Sequence, residues 1–79
     1  MVAMIKNEAV DAAILEADKL IRNGFIFWHW AGEGDPTRVS ETLGYHGRLE
    51  VQFQAMRYLD GEISLEYLAN EIYAYAGSD

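Results

Sequence analysis

The chain has no cysteine, a single proline, only six basic residues and no apolar run longer than about six residues. Each shortage excludes something. Without cysteine there is no disulfide, no thiolate metal site and no cysteine nucleophile, and nothing points to an oxidising compartment. A membrane-spanning helix needs roughly 20 consecutive apolar residues. The opening Met1-Val2-Ala3-Met4-Ile5-Lys6 lacks the basic segment and long apolar run of a signal peptide. A soluble, cytoplasmic chain with no membrane partner is expected. Six bases against 13 acids give a net charge of −7, which argues against direct binding of DNA or RNA, because neutralising phosphates takes clustered Lys and Arg. After Arg57 the shortage of bases is complete. Asp60, Glu62, Glu66, Glu71 and Asp79 follow with no Lys or Arg among them, so the last twenty residues carry −5 of the −7.

Hydrophobic residues, by contrast, make up 51% of the chain and aromatics 13%, which rules out disorder on composition. Seventy-nine residues make one domain, 1–79, near the lower end of the sizes that fold unaided. The apolar residues are most concentrated in Phe25-Ile26-Phe27-Trp28-His29-Trp30, which holds two of the three Phe and both Trp. Aromatic side chains bury about 150–250 Å² each, so this stretch is expected to supply core.

The elements follow from periodicity and punctuation. Val10, Ala13, Ile14, Ala17, Leu20 and Ile21 recur at helical spacing and predict a helix over residues 7–22, with Asn7 as N-cap and Asn23-Gly24 ending it. Residues 25–30 fit a short buried strand by length and β-propensity, or equally an irregular aromatic plug. Gly32 to Asp35 read as a loop, and Asp35-Pro36 as the start of a short helix that buries Val39 and Leu43 and stops at Gly44. Tyr45-His46-Gly47 reads as a joint. Residues 48–59 favour a helix with Leu49, Phe53 and Met56 on its inner side, leaving Val51 and Tyr58 opposite. Read instead as a strand over 48–54, the same residues turn Leu49, Val51 and Phe53 inward. Asp60-Gly61 is a turn. Ser64 caps a last helix running to about residue 76, Ile63 and Leu68 are spaced for a hydrophobic staple, and Leu65, Leu68, Ala69, Ile72, Tyr75 and Ala76 form its buried stripe. The expected fold is mostly α, a compact domain of three or four helices with an aromatic core segment at 25–30. The alternative is an α+β fold with a small sheet pairing 25–30 with 48–54.

Motifs of known chemistry fail on inspection. Gly61 placed as the sixth residue of an EF-hand loop puts Met56, Tyr58 and Tyr67 where oxygen ligands belong. Residues 59–69 have the look of the first half of a helix-turn-helix, but no basic recognition helix follows. His29 with Glu33, and His46 with Glu50, offer two metal ligands each where a stable zinc site needs three or four. Ser40 and His46 lack the elbow or glycine pattern of a nucleophile site, and the acid between Gly32 and Gly34 repels a phosphate. No catalytic residue, metal or cofactor is assigned.

What remains is a surplus of Trp and Tyr, seven in all, residue types enriched at binding hot spots. Tyr58 and Tyr67 fall away from the main stripes, beside Asp60, Glu62, Glu66 and Glu71. An aromatic centre with a carboxylate rim suits a basic groove. The leading expectation is therefore a non-enzymatic, protein-binding inhibitor that occludes the basic, nucleic-acid-binding surface of a larger protein, as phage and mobile-element anti-defence proteins of the anti-CRISPR type do, using Tyr58, Asp60, Glu62, Glu66, Tyr67 and Glu71. A self-associating structural or adaptor module is the alternative, its homodimer seam formed by Val51, Tyr58 and whichever Trp is left exposed. A small enzyme or metal protein using His29 or His46 is the third.

Overall fold

In a computed structural model of the protein, the described residues are 2–26, 34 and 36–76, with side chains from residue 8 onward. They form three α-helices and one short 3₁₀ turn: α1 (Val2–Arg22), η1 (Val39–Thr42), α2 (Tyr45–Leu59) and α3 (Leu65–Tyr75). Each helix packs against the other two, and η1 lies against α1 and α3. The mostly helical expectation holds. No sheet forms among the described residues. Leu43 and Ala76 make a single isolated antiparallel bridge, and residues 48–54 lie wholly inside α2.

α1 starts earlier than expected. It is already helical at Val2, so Asn7 lies inside it rather than capping it, and its first turn carries no acid. Nothing in residues 2–6 breaks a helix, and Asn in a helix interior costs only a few tenths of a kcal/mol more than the best formers. Its C-terminus ends as Asn23-Gly24 predicts. Gly24 takes φ 99°, its N–H donates to Ile21 and that of Phe25 to Leu20. This is the Schellman arrangement, which needs a left-handed residue at that position. Ile26 packs on the core while Phe25 is 45% exposed; the rest of the 25–30 segment, with Trp28, His29 and Trp30, lies outside the described residues, as do Glu33 and the Asp35 cap.

The helix expected after Pro36 is only the one turn of η1, with Pro36 before it. Val39 and Leu43 are nonetheless buried. η1 is fastened to α1 by Asp18, which is 1% exposed. Its carboxylate accepts from the Ser40 N–H at 2.8 Å and from the Ser40 hydroxyl. A buried carboxylate is tolerated because both donors aim at it.

The joint expected at 45–47 is the first turn of α2, and Gly44 caps the helix rather than ending one. The inner face of α2 is also the opposite of the one expected. Gly47, Val51, Gln54 and Ala55 are buried, whereas Leu49 and Phe53 are 49% and 54% exposed. Size explains the inversion. Gly47, Val51 and Ala55 recur every four residues and form a shallow ridge. They meet a core whose other members include Ala13 and Ala17 of α1 and Ala69 of α3. Helices come closest where the contact side chains are small. A Cβ on Gly47 would stand 3.1 Å from the Tyr75 Cβ, so α2 and α3 nearly touch there. Phe53 cannot occupy such a gap. The larger residues are left outside.

α2 ends at a second Schellman turn, with Gly61 at φ 78° and Glu62 N–H donating to Arg57. Ser64 then caps α3, its hydroxyl accepting from Tyr67 N–H at 3.1 Å. Ile63 packs beside the core that contains Leu68, as the staple requires. The predicted stripe of α3 is borne out: Leu68, Ala69 and Ile72 are fully buried, with Leu65, Tyr75 and Ala76 packed around them.

Candidate functional site

The six residues singled out above come from the end of α2, the following turn and α3, and the fold divides them. Tyr58 is drawn partly into the core, and its hydroxyl donates to Glu16 Oε2 of α1 at 3.4 Å. Partial burial, then Glu16, then Glu66 push the Tyr58 phenol above its ordinary range. Carboxylates from α1 and α3 therefore flank one phenol at the close of α2. Glu16 was not legible as part of this group, since 42 residues separate it from Tyr58 and only the packing of α1 against both other helices joins them.

Glu62 is less free than its charge implies. The Schellman turn puts its position next to that of Arg57, where a hydrophobic contact often sits. Arg57 Nε lies 3.4 Å from Glu62 Oε1. The pair is half in solvent, so it contributes less than about 1 kcal/mol, but it sets one positive charge among the acids. Arg57 also donates to Gln54, and Gln54 to Glu50. A polar chain thus runs along this flank of α2.

On α3 the residues spread around the outer side. At about 100° per residue, Glu66 and Glu71 stand on opposite flanks with Tyr67 between them. Tyr67 is 46% exposed and Glu66 is exposed, while Glu71 is half-buried. Glu71 belongs with a different phenol: burial, then Glu50, then Glu71 raise Tyr75. Asp60 is exposed at the turn. The result is two carboxylate-flanked tyrosines, Tyr58 on the α1 side and Tyr75 on the α2 side, with Tyr67 outermost.

The alternative readings fare differently. Val51 is fully buried, so it cannot join Tyr58 in the seam assigned to that pair. His46 is exposed on the first turn of α2, its ring edge-on to Tyr45 at 5.4 Å. Ser40 gives its hydroxyl to Asp18. Among the described residues, no group of three or more His, Asp or Glu side chains is placed to hold a metal, and no helix is long and apolar enough to cross a membrane. A half-open cavity of about 290 Å³ lies between α1, η1 and α2, bordered by Asp11, Arg38, Ser40, Glu41, Leu43 and Arg48 among others. Its two guanidinium groups face two carboxylates, and Arg38 is paired with Glu41 at 3.6 Å. That balance selects no ligand of either sign.

No protein-family model, curated protein or solved structure matches the chain. The functional reading rests on its own residues.

Proposed function

We propose that the protein is a small, non-enzymatic binding protein whose acidic, tyrosine-bearing surface occupies a basic surface on a larger protein. The observation that carries this reading is the convergence of Glu16 and Glu66 on Tyr58, on a molecule with no base after Arg57. Carboxylates spaced around an aromatic centre resemble, in charge, the phosphates of a nucleic acid against its bases. A cationic groove that holds phosphates through Lys and Arg offers such a surface its complement, and the attraction speeds encounter as well as holding the complex. The partner would thus be a nucleic-acid-processing protein, and occupancy of its groove would inhibit it. Phage and mobile-element proteins that block host defence nucleases fit this size and charge, and an anti-defence role is the specific form we favour.

The test is charge reversal on the outer face. Glu62, Glu66 and Glu71 changed together to Lys should abolish binding to a basic nucleic-acid-binding protein while the far-UV circular dichroism is retained. Binding that survives the reversal would sink the proposal.

A further inference from the structure

The inverted packing of α2 leaves an apolar stripe largely uncovered among the described residues. Tyr45, Leu49, Phe53 and Leu59 are 69%, 49%, 54% and 44% exposed. Met56, between the last two, is half-buried, one side of it against the core. Leu49, Phe53 and Met56 lie across the 15-residue helix from its buried Gly47–Val51–Ala55 ridge, with Tyr45 and Leu59 on one flank of them. Taking roughly 200 Å² for each large side chain, the exposed fractions leave about 400 Å² of apolar surface per copy, within the about 300–600 Å² of the largest, often functional, patch on a typical monomer.

We infer that a second copy of this chain covers the stripe, by antiparallel pairing of α2 with α2. Three observations converge on that occupant. The first is spacing. His46, Leu49, Phe53 and Met56 follow one another at intervals of three, four and three, the repeat that lets two helices interlock side by side. The second is charge. With −7 on each copy, most faces repel a second copy, but α2 carries Arg48 and Arg57 against the single acid Glu50. The third is complementarity within the seam. Glu50 and Arg57 each follow a seam residue, Leu49 and Met56, and so flank the seam on one side, where charges set partner and orientation. In an antiparallel pair with Phe53 of one copy against Met56 of the other, Glu50 of each copy stands beside Arg57 of its mate. The two-fold axis repeats the pair. In a parallel pair this flank would face the opposite flank of the mate, Tyr45, Gln52 and Leu59, and the two Glu50–Arg57 pairs would be lost. Two stripes cover about 800 Å² of apolar surface. With the polar rim of Arg48, Gln52, Glu50 and Arg57 added, the total approaches the about 1,200 Å² at which specific interfaces begin.

Arg57 also pairs with Glu62 of the acidic cluster, so the variant that separates this test from that of the proposed function is Phe53→Glu, which alters none of the acidic-site residues. Sedimentation equilibrium of the whole chain at tens to hundreds of micromolar should show a reversible monomer–dimer equilibrium. Phe53→Glu, at an exposed position, should weaken dimerisation at least tenfold while leaving the thermal melt of the dilute monomer unchanged. Glu50→Arg alone should weaken it, and Glu50→Arg with Arg57→Glu should restore it. A wild-type chain that stays at 8.9 kDa at hundreds of micromolar overturns the inference, as does a dimer indifferent to Phe53→Glu. A double variant that fails to recover, beside a Phe53→Glu variant that dissociates, overturns the antiparallel register.

Discussion

Replacing Asp18 by Ala should cost the domain about 3 kcal/mol. Among the described residues Asp18 carries the only buried charged side chain, and its carboxylate accepts two hydrogen bonds from Ser40, through the backbone N–H at 2.8 Å and through the hydroxyl. Hydrogen bonds to a charged group contribute about 1.5–3 kcal/mol each. Two of them give an upper figure of about 6 kcal/mol. Removing the carboxylate also removes the cost of burying it, and water reaches the part-buried Ser40 to satisfy some of what is orphaned, so about half remains. A domain of this size has a total stability of about 4–12 kcal/mol. The loss is therefore large enough to read directly. At about 4–8 °C per kcal/mol, the melting midpoint should fall by 12 °C or more. Urea unfolding followed at 222 nm would report it as a lower midpoint at constant slope. Ser40→Ala should cost about 1.5 kcal/mol, and the double variant should cost less than the sum of the singles, since neither hydrogen bond survives Asp18→Ala. An Asp18→Ala protein within about 0.5 kcal/mol of wild type, the range of an ordinary surface change, would refute the claim that this contact fastens η1 to the helices.

Val51→Ala, at a fully buried position, should lower stability by about 1–2 kcal/mol, whereas Phe53→Ala at low protein concentration should stay within about 0.5 kcal/mol; the reverse order by urea titration would restore the opposite face of α2 to the core. Gly47→Val should be strongly destabilising in the same assay, because the added Cβ meets the Tyr75 Cβ at 3.1 Å, with overpacking costing about 1–3 kcal/mol; a neutral result would mean that α2 and α3 are not so close. Ser64→Ala should cost about 1 kcal/mol through loss of the cap to Tyr67 N–H, and an unchanged melting midpoint would remove that cap from the account. In a titration at 295 nm, Tyr58 and Tyr75 should ionise above the ordinary range of about 10, because burial and then neighbouring carboxylates raise both. The folded chain holds these protons more tightly than the unfolded one. Stability from them is full below the unfolded value and is lost as pH rises through the folded one. Glu16→Gln should bring Tyr58 down, and five tyrosines ionising together would contradict the placement.

The features most legible in the sequence were those written in local chemistry. Asn23-Gly24 and Asp60-Gly61 mark the two left-handed helix ends, and Ser64 marks the cap of α3, because φ above zero and a free N–H each demand particular side chains. The stripes of α1 and α3 could be read because each is apolar on one face only. α2 could not, since apolar residues lie on two faces and bulk is a poor guide to which is inside. Gly47 was read as part of a joint and Ala55 was assigned to no face, yet they permit the close approach that excludes Phe53. The signal that separates the two faces was present: small residues spaced four apart in α2, matched by Ala13 and Ala17 in α1. The start of α1 was misplaced because Asn7 resembles a cap and nothing before it resembles a breaker. At the candidate site, the acids from Asp60 to Glu71 were visible as a run, but their division between Tyr58 and Tyr75 depends on helix rotation, and the arrival of Glu16 depends on packing across the whole chain.

The acidic surface is the centre of the functional account, and its most direct test compares two baits. The tagged wild-type chain and its Glu62→Lys, Glu66→Lys, Glu71→Lys variant would be passed through the same cell lysate, washed at low and then high salt, and the bound proteins identified by mass spectrometry. The account predicts one dominant nucleic-acid-binding protein on the wild-type bait, weakened or released as salt screens the contact, and its absence from the variant. A partner retained equally by both baits, or one indifferent to salt, would contradict it.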